Sequence, residues 1–260
     1  MTADHVDLGD TRLHYRFDGP ADAPVLVLSN SLGTSLAMWN AQVAALTRSH
    51  RLLRYDTRGH GASAVPPGPY TIERLGRDVL ALLDALQLPR VRFCGLSLGG
   101  MTGMWLGVHA PARVERLVLC NTAAHMAPAD LWNTRIAKVR SGGMAAIVDG
   151  VLERWFTADF RAQHADRVAP ARRMLLETSP DGYIAACEAV RDMDQRDAIA
   201  AIDCPTLVVA GSHDLATPPA DGRFVAERIR RSRYVELPAA HLSNIEAEAG
   251  FTSAVTGFLD

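Results

Sequence analysis

Short apolar runs rich in branched side chains alternate with longer stretches of helical spacing through the first half of the chain. Residues 25–28 (Val-Leu-Val-Leu), 51–55, 91–94 and 114–120 read as buried strands. Helices are predicted between them, at about 36–46, 71–86 and 98–109, the last with Met101, Trp105 and Val108 at helical spacing. Ahead of these, Val6-Asp7-Leu8, a Gly9-Asp10 turn and residues 12–17 alternate as an antiparallel hairpin does. The strand–helix alternation stops after Asn121. From 122 to about 201 only helical patterns occur, broken at Ser141-Gly142-Gly143 and Ser179-Pro180-Asp181-Gly182. Asp203-Cys204-Pro205 then leads into a β-branched strand at 206–211. Pro218 or Pro219 opens a helix, 233–237 forms another strand, and a helix through Phe251, Val255, Phe258 and Leu259 closes the chain.

The expected architecture is an α/β fold with a mostly parallel central sheet. Its core is built from 1–121 and 201–260, with a helical insert at 122–200 lying over one rim as a cap. At 260 residues and 48% hydrophobic content, the chain suits one large domain with a modest insert. A net charge of −2 offers no nucleic-acid footprint. No apolar run approaches membrane-spanning length, and the first residues carry neither a basic nor an apolar targeting segment, so a cytoplasmic protein is expected. Cys94, Cys120, Cys187 and Cys204 lie far apart without a C-x-x-C spacing and read as small core residues. With no phosphate-binding glycine loop either, no metal and no cofactor are expected.

The chemistry enters at Gly95-Leu96-Ser97-Leu98-Gly99, where a buried strand turns into a helix. A G-x-S-x-G turn in that context lifts a serine hydroxyl above the sheet edge, at the positive end of a helix. Gly95 and Gly99 carry no Cβ to clash with the adjoining strand and helix. A serine needs a base and a group to orient that base. The partners are expected in the order acid, then histidine, each just beyond a strand end. Asp214 follows the 206–211 strand and His241 follows the 233–237 strand. His213 competes for the base role but adjoins the acid on the same loop. The oxyanion donors expected from this arrangement are the N–H of Leu98, after the serine, and that of Leu32, in the Ser29–Thr34 loop after the first buried strand.

Together these residues resemble the α/β-hydrolase superfamily over nearly the whole chain. Tyr55-Asp56-Thr57-Arg58-Gly59-His60-Gly61-Ala62-Ser63 matches a loop signature of that superfamily, in which Asp56 and Arg58 brace the neighbouring loop. Within it, three segments resemble the 3-oxoadipate enol-lactonases of aromatic catabolism: Ser29-Asn30-Ser31-Leu32-Gly33-Thr34, Gly95 through Met101, and Arg116-Leu117-Val118-Leu119-Cys120-Asn121-Thr122-Ala123. Asn30-Ser31 stands where many hydrolases carry His-Gly. The resemblance implies a small anionic enol lactone as substrate, opened through an acyl-enzyme. Another carboxylesterase, a perhydrolase, a C–C bond hydrolase or a ligand-binding receptor on the same fold remain alternatives. The stretch 131–148 in the cap carries Arg135, Lys138 and Arg140 and no acid. As a helix it places Trp132, Arg135, Ile136 and Val139 on one face, where Trp132 and Arg135 could hold a planar ring and its carboxylate. A solvated basic face is the alternative. Trp155 and Phe156 read as cap core.

Overall fold

A computed structural model describes residues 3–126 and 128–260. Its strands are β1 (Ala3–Asp7), β2 (Arg12–Asp18), β3 (Val25–Ser29), β4 (Arg51–Tyr55), β5 (Val91–Leu96), β6 (Val114–Cys120), β7 (Thr206–Gly211) and β8 (Ser232–Leu237). They form one eight-stranded sheet in the order β1-β2-β4-β3-β5-β6-β7-β8. β1 and β2 are the antiparallel hairpin, Asp7 facing Arg12 across the turn, and β2 meets β4 antiparallel. All other neighbours are parallel. The central strands are buried on both faces, which is why their sequences run apolar rather than alternate. β7 is buried at every position.

Helices α1 (Asn40–Leu46), α2 (Ile72–Ala85) and α3 (Leu98–His109) connect the first strands. α2 begins where Thr71 caps it, Oγ1 accepting from the Arg74 N–H at 3.0 Å. The helix expected over 36–46 is divided. Leu36–Trp39 forms a 3₁₀ turn before α1, because the Leu36 N–H is drawn to Asp56 Oδ1 at 2.7 Å. β5 runs two residues further than its apolar run suggested, so Gly95 and Leu96 are still strand and Ser97 alone makes the corner.

Between β6 and β7 lie α4 (Ala129–Gly142), α5 (Val148–Trp155), α6 (Ala158–Gln163), α7 (Ala165–Glu177) and α8 (Pro180–Asp192). α4 packs on α8 and α5 on α7, forming a helical cap. After β7 come α9 (Pro219–Arg228), β8, a short α10 (Ser243–Glu246) and α11 (Glu248–Leu259), which packs on α1. Pro218 caps α9 and Pro219 is its first residue. Among the described residues no helix is long and apolar enough to cross a membrane.

Candidate active site

Ser97 joins β5 to α3 at φ 57°, ψ −113°, a left-handed conformation that non-glycine residues rarely adopt. Three hydrogen bonds hold it there. The Ser97 N–H donates to the Cys120 carbonyl at 2.8 Å, and its own carbonyl accepts from Thr122 Oγ1 at 2.8 Å and from the Met101 N–H at 2.9 Å. The turn closes only around glycine. A Cβ at Gly95 would lie 2.1 Å from the Gly99 carbonyl oxygen, and one at Gly99 would lie 2.2 Å from that of Ser29. The two loops expected to carry the oxyanion donors are therefore in backbone contact, clamped by the Gly99 N–H donating to the Asn30 carbonyl at 3.0 Å.

Asn30 sets the first of those loops. Its Oδ1 accepts from Trp39 Nε1 at 2.9 Å and its Nδ2 donates to the Tyr55 carbonyl at 2.7 Å. The Ser31 N–H is spent on the Met38 sulfur at 3.3 Å, and the Thr34 N–H on the Ser31 carbonyl at 3.2 Å. On the other side, the Ser97 and Gly99 donors are used as described. The N–H groups of Leu32 and Leu98 sit between these committed neighbours. Asp56 braces the loop at Leu36, and its Oδ2 accepts from the Ala62 N–H at 3.0 Å. Arg58 turns away from that loop to pair with Asp78 on α2. His60 is buried, with Nδ1 donating to the Arg58 carbonyl at 3.1 Å.

Asp214 and His241 meet from separate loops. His241 Nδ1 donates to Asp214 Oδ2 at 2.8 Å, which leaves Nε2 as the free ring nitrogen. Both side chains are almost wholly buried. The carboxylate is further held by the N–H groups of Ala216 and Thr217 on Oδ1, at 2.8 and 3.0 Å. Thr217 Oγ1 and Asn121 Nδ2 donate to Oδ2, at 2.8 and 3.0 Å. Burial pushes the Asp214 carboxyl up, but the His241 charge and these hydrogen bonds outweigh it, so the pKa lies below the ordinary carboxylate value. His213 is exposed and takes no part.

Asn121 and Thr217 had no role in the sequence reading. Asn121, at the end of β6 with φ 43°, also donates to the Ala240 carbonyl at 3.2 Å and accepts from Ser243 Oγ at 2.5 Å. One side chain thus ties the acid to the histidine's loop. The available signal was Asn directly after a buried strand, a residue that, after glycine, is among those best suited to a left-handed corner there.

Ser97, Leu32 and His241 line one cavity of about 1010 Å3 beneath the cap. Trp132, Arg135 and Lys138 line it from α4, and Trp155 from α5. Trp132 is buried, and the Arg135 guanidinium lies 4.6 Å from its ring centroid. Trp155, expected as cap core, is both buried and part of the wall, while Phe156 is core and stacks on Phe160 with centroids 5.4 Å apart. The cap also grips the histidine's loop directly. The Leu242 N–H donates to the Trp155 carbonyl at 3.0 Å, and Glu246 accepts from both the Ala240 N–H, at 2.9 Å, and Thr157.

Residues 24–248 match the family described as alpha/beta hydrolase fold. The chain is 44% identical over 246 residues to 3-oxoadipate enol-lactonase 2 of Acinetobacter baylyi, covering 95% of this chain and 92% of that one. Among solved structures, the enol-lactonase from Burkholderia xenovorans superposes with a TM-score of 0.97 at 49% identity, covering 98% of this chain and 99% of that one. A hydrolase from Pseudomonas aeruginosa gives a TM-score of 0.96, also at 49% identity, over 99% and 98% of the two chains.

Proposed function

The chain belongs to the α/β-hydrolase family, whose serine-hydrolase chemistry on esters and lactones it shares, and from that premise we propose that it opens 3-oxoadipate enol-lactone. The observation that carries the substrate is the chemistry of the cavity. A serine corner and a carboxylate-oriented histidine share a wall with Trp132 and Arg135. A relative named for this lactone matches 95% of the chain.

In this reading Ser97 is the nucleophile, His241 its base, and Asp214 the group that fixes the histidine's tautomer and stabilises its protonated form. His241 Nε2 removes the Ser97 proton as Oγ attacks the ring carbonyl. The N–H groups of Leu32 and Leu98 receive the developing oxyanion, close to the N-terminus of α3. The ring C–O bond then breaks and the enol oxygen takes up the proton. The enol tautomerises to the ketone, leaving an ester on Ser97. Enolate departure is easier than alkoxide departure, so the acid role of His241 matters less here than in simple ester cleavage. A water deprotonated by His241 attacks the acyl-enzyme and releases the dicarboxylate product. Arg135 holds the substrate's free carboxylate and Trp132 packs on the ring.

The test is a hydrolysis assay on the enol lactone, its methyl ester and an unrelated aryl ester. The lactone should have the highest kcat/KM. Ser97→Ala should keep its melting temperature and lose turnover by several orders of magnitude, as well as labelling by a fluorophosphonate. Preference for the plain ester would overturn the substrate. Residual turnover near wild type in a folded Ser97→Ala protein would overturn the nucleophile.

A further inference from the structure

About half of the arginines in this fold pair with acids, the buried Arg54 and Arg58 among them. Arg54 pairs with Asp18, Arg58 with Asp78, and Arg167 with Glu248. Two on the cavity wall do not. Arg135 on α4 and Arg154 on α5 both line the space above Ser97, and neither makes an ion pair with a carboxylate among the described residues. Arg135 is partly compensated by the face of Trp132. Arg154 is half-buried, and its Nε–H is sealed from solvent with no acceptor.

The surroundings offer these cations no built-in counter-ion. Tyr183 lines the same cavity and feels both arginines, yet burial pushes its hydroxyl up, so it stays neutral. Burial likewise pushes the nearby Cys187 thiol up to about 12, against the pull of Arg135. Burial, and then the charge of Arg135, lower the pKa of Arg154; Tyr183 and Glu153 act the other way without pairing to it. The carboxyl on the cavity wall, Asp221, comes from α9 on the core side, and Arg196 on the wall is already paired with Asp194. Two guanidinium groups on one cavity wall without an acid partner, with Lys138 on the same wall likewise outside any ion pair among the described residues, favour an anion in that space. Asp221 on the core side disfavours a negative group there.

We propose that Arg154 is a specificity-determining residue, which together with Arg135 forms a two-guanidinium receptor for the carboxylate of the substrate. Arg154 and Arg135 line the same cavity, and their two planar groups hold the anion at the cap end, so the reactive carbonyl points down to Ser97. The receptor selects ligands with a small flat ring and one free carboxylate, and discriminates against the corresponding neutral esters and amides. The inference rests on the cavity being a hydrolase site, but not on which lactone is the substrate.

The experiment uses 2-furoate and its neutral amide, 2-furamide, as competitive inhibitors of 4-nitrophenyl acetate hydrolysis by the full chain. Furoate should inhibit at least about tenfold more strongly than furamide, the scale of a charge-assisted pair in a shielded site. Arg154→Gln should erase most of that ratio. Arg154→Lys, which keeps the charge but not the fork, should restore only part of it. In parallel, furoate should raise the melting temperature of the wild type by more than that of either variant. A furoate-to-furamide ratio unchanged in both variants would overturn the proposal, as would equal weakening of the two inhibitors. Turnover of the enol lactone is not read at any point. An Arg154-dependent ratio in a protein that ignores the enol lactone would keep the receptor and remove the substrate assigned above.

Discussion

Ser97 occupies a backbone conformation that costs on the order of 1–3 kcal/mol, and that cost is offset by bonds from the end of β6 and the turn after it, through Cys120 and Thr122. β6 does double duty, since its next residue, Asn121, holds Asp214 from the other side. The strand between nucleophile and acid thereby fixes the distance between the loops that carry them. Asn121→Ala should test this. It removes one of the donors that keep the Asp214 carboxyl below its ordinary pKa and cuts the link to Ala240 and Ser243. A hydrogen bond to a charged group is worth roughly 1.5–3 kcal/mol, so kcat/KM should fall about ten- to a hundredfold, mostly in kcat. The loss should be nearly absent when Asp214→Asn is already present, because both act on the same imidazole. Additive losses in the double variant would place Asn121 outside the Asp214–His241 unit.

At the scale of elements, the cap is attached through backbone as much as through side chains. The first turn of α8 rests on the loop after β4: a Cβ on Gly182 would lie 2.2 Å from the Gly59 carbonyl oxygen. Gly59 itself has φ +78° and is closed in by Tyr70. Gly182→Ala should therefore tilt α8, and with it α4, which packs on α8 and carries Trp132 and Arg135. The expected cost is roughly 1–3 kcal/mol of stability, with KM for an anionic substrate rising more than kcat falls. Denaturant melts and a kinetic split on one lactone check this; a variant with unchanged stability and KM would mean that the contact is not structural. The elements themselves were largely legible from pattern, because buried parallel strands leave continuous apolar runs such as 207–210 and the helices between them keep their period. What was not legible depends on other parts of the chain. The split of the helix at Leu36 is imposed by Asp56, a strand away. Thr217 and Asn121 gain their roles only where loops converge on Asp214. Arg154 lies beside Trp155 in a segment that reads as amphipathic cap, and only the approach of α5 to α4 sets it against Arg135.

For the molecule as a whole, buried titratable groups make stability a function of pH with a calculable sign. His60 is enclosed beneath the Asp56–Ser63 loop, its Nε2 without a partner. Burial lowers its pKa below the ordinary 6.5, against the opposing effects of the Arg58 carbonyl and the Asp56 charge. His50 is lowered in the same direction by burial and then by Arg92, with Asp260, Glu115 and the Leu46 backbone opposing. The folded protein keeps both rings neutral at a pH where the unfolded chain protonates them. Their contribution is fully present above about pH 6.5 and is lost as pH falls toward the folded values, with a slope of at most about 1.4 kcal/mol per pH unit for each ring. The carboxylates act in both directions. Asp214, lowered, withdraws stability as pH falls through its folded value, whereas Asp78, raised by burial beyond what Arg58 and Arg74 recover, returns some. Urea unfolding between pH 8 and 5 should therefore show a flat region followed by a decline that begins near the ordinary histidine range. His60→Gln, which keeps a polar group for the Arg58 carbonyl but cannot be protonated, should make that decline shallower while leaving His50 to account for the rest. A slope in His60→Gln equal to that of the wild type would show that His60 is protonated in the folded protein, and that the loop over β4 opens to water as the pH falls.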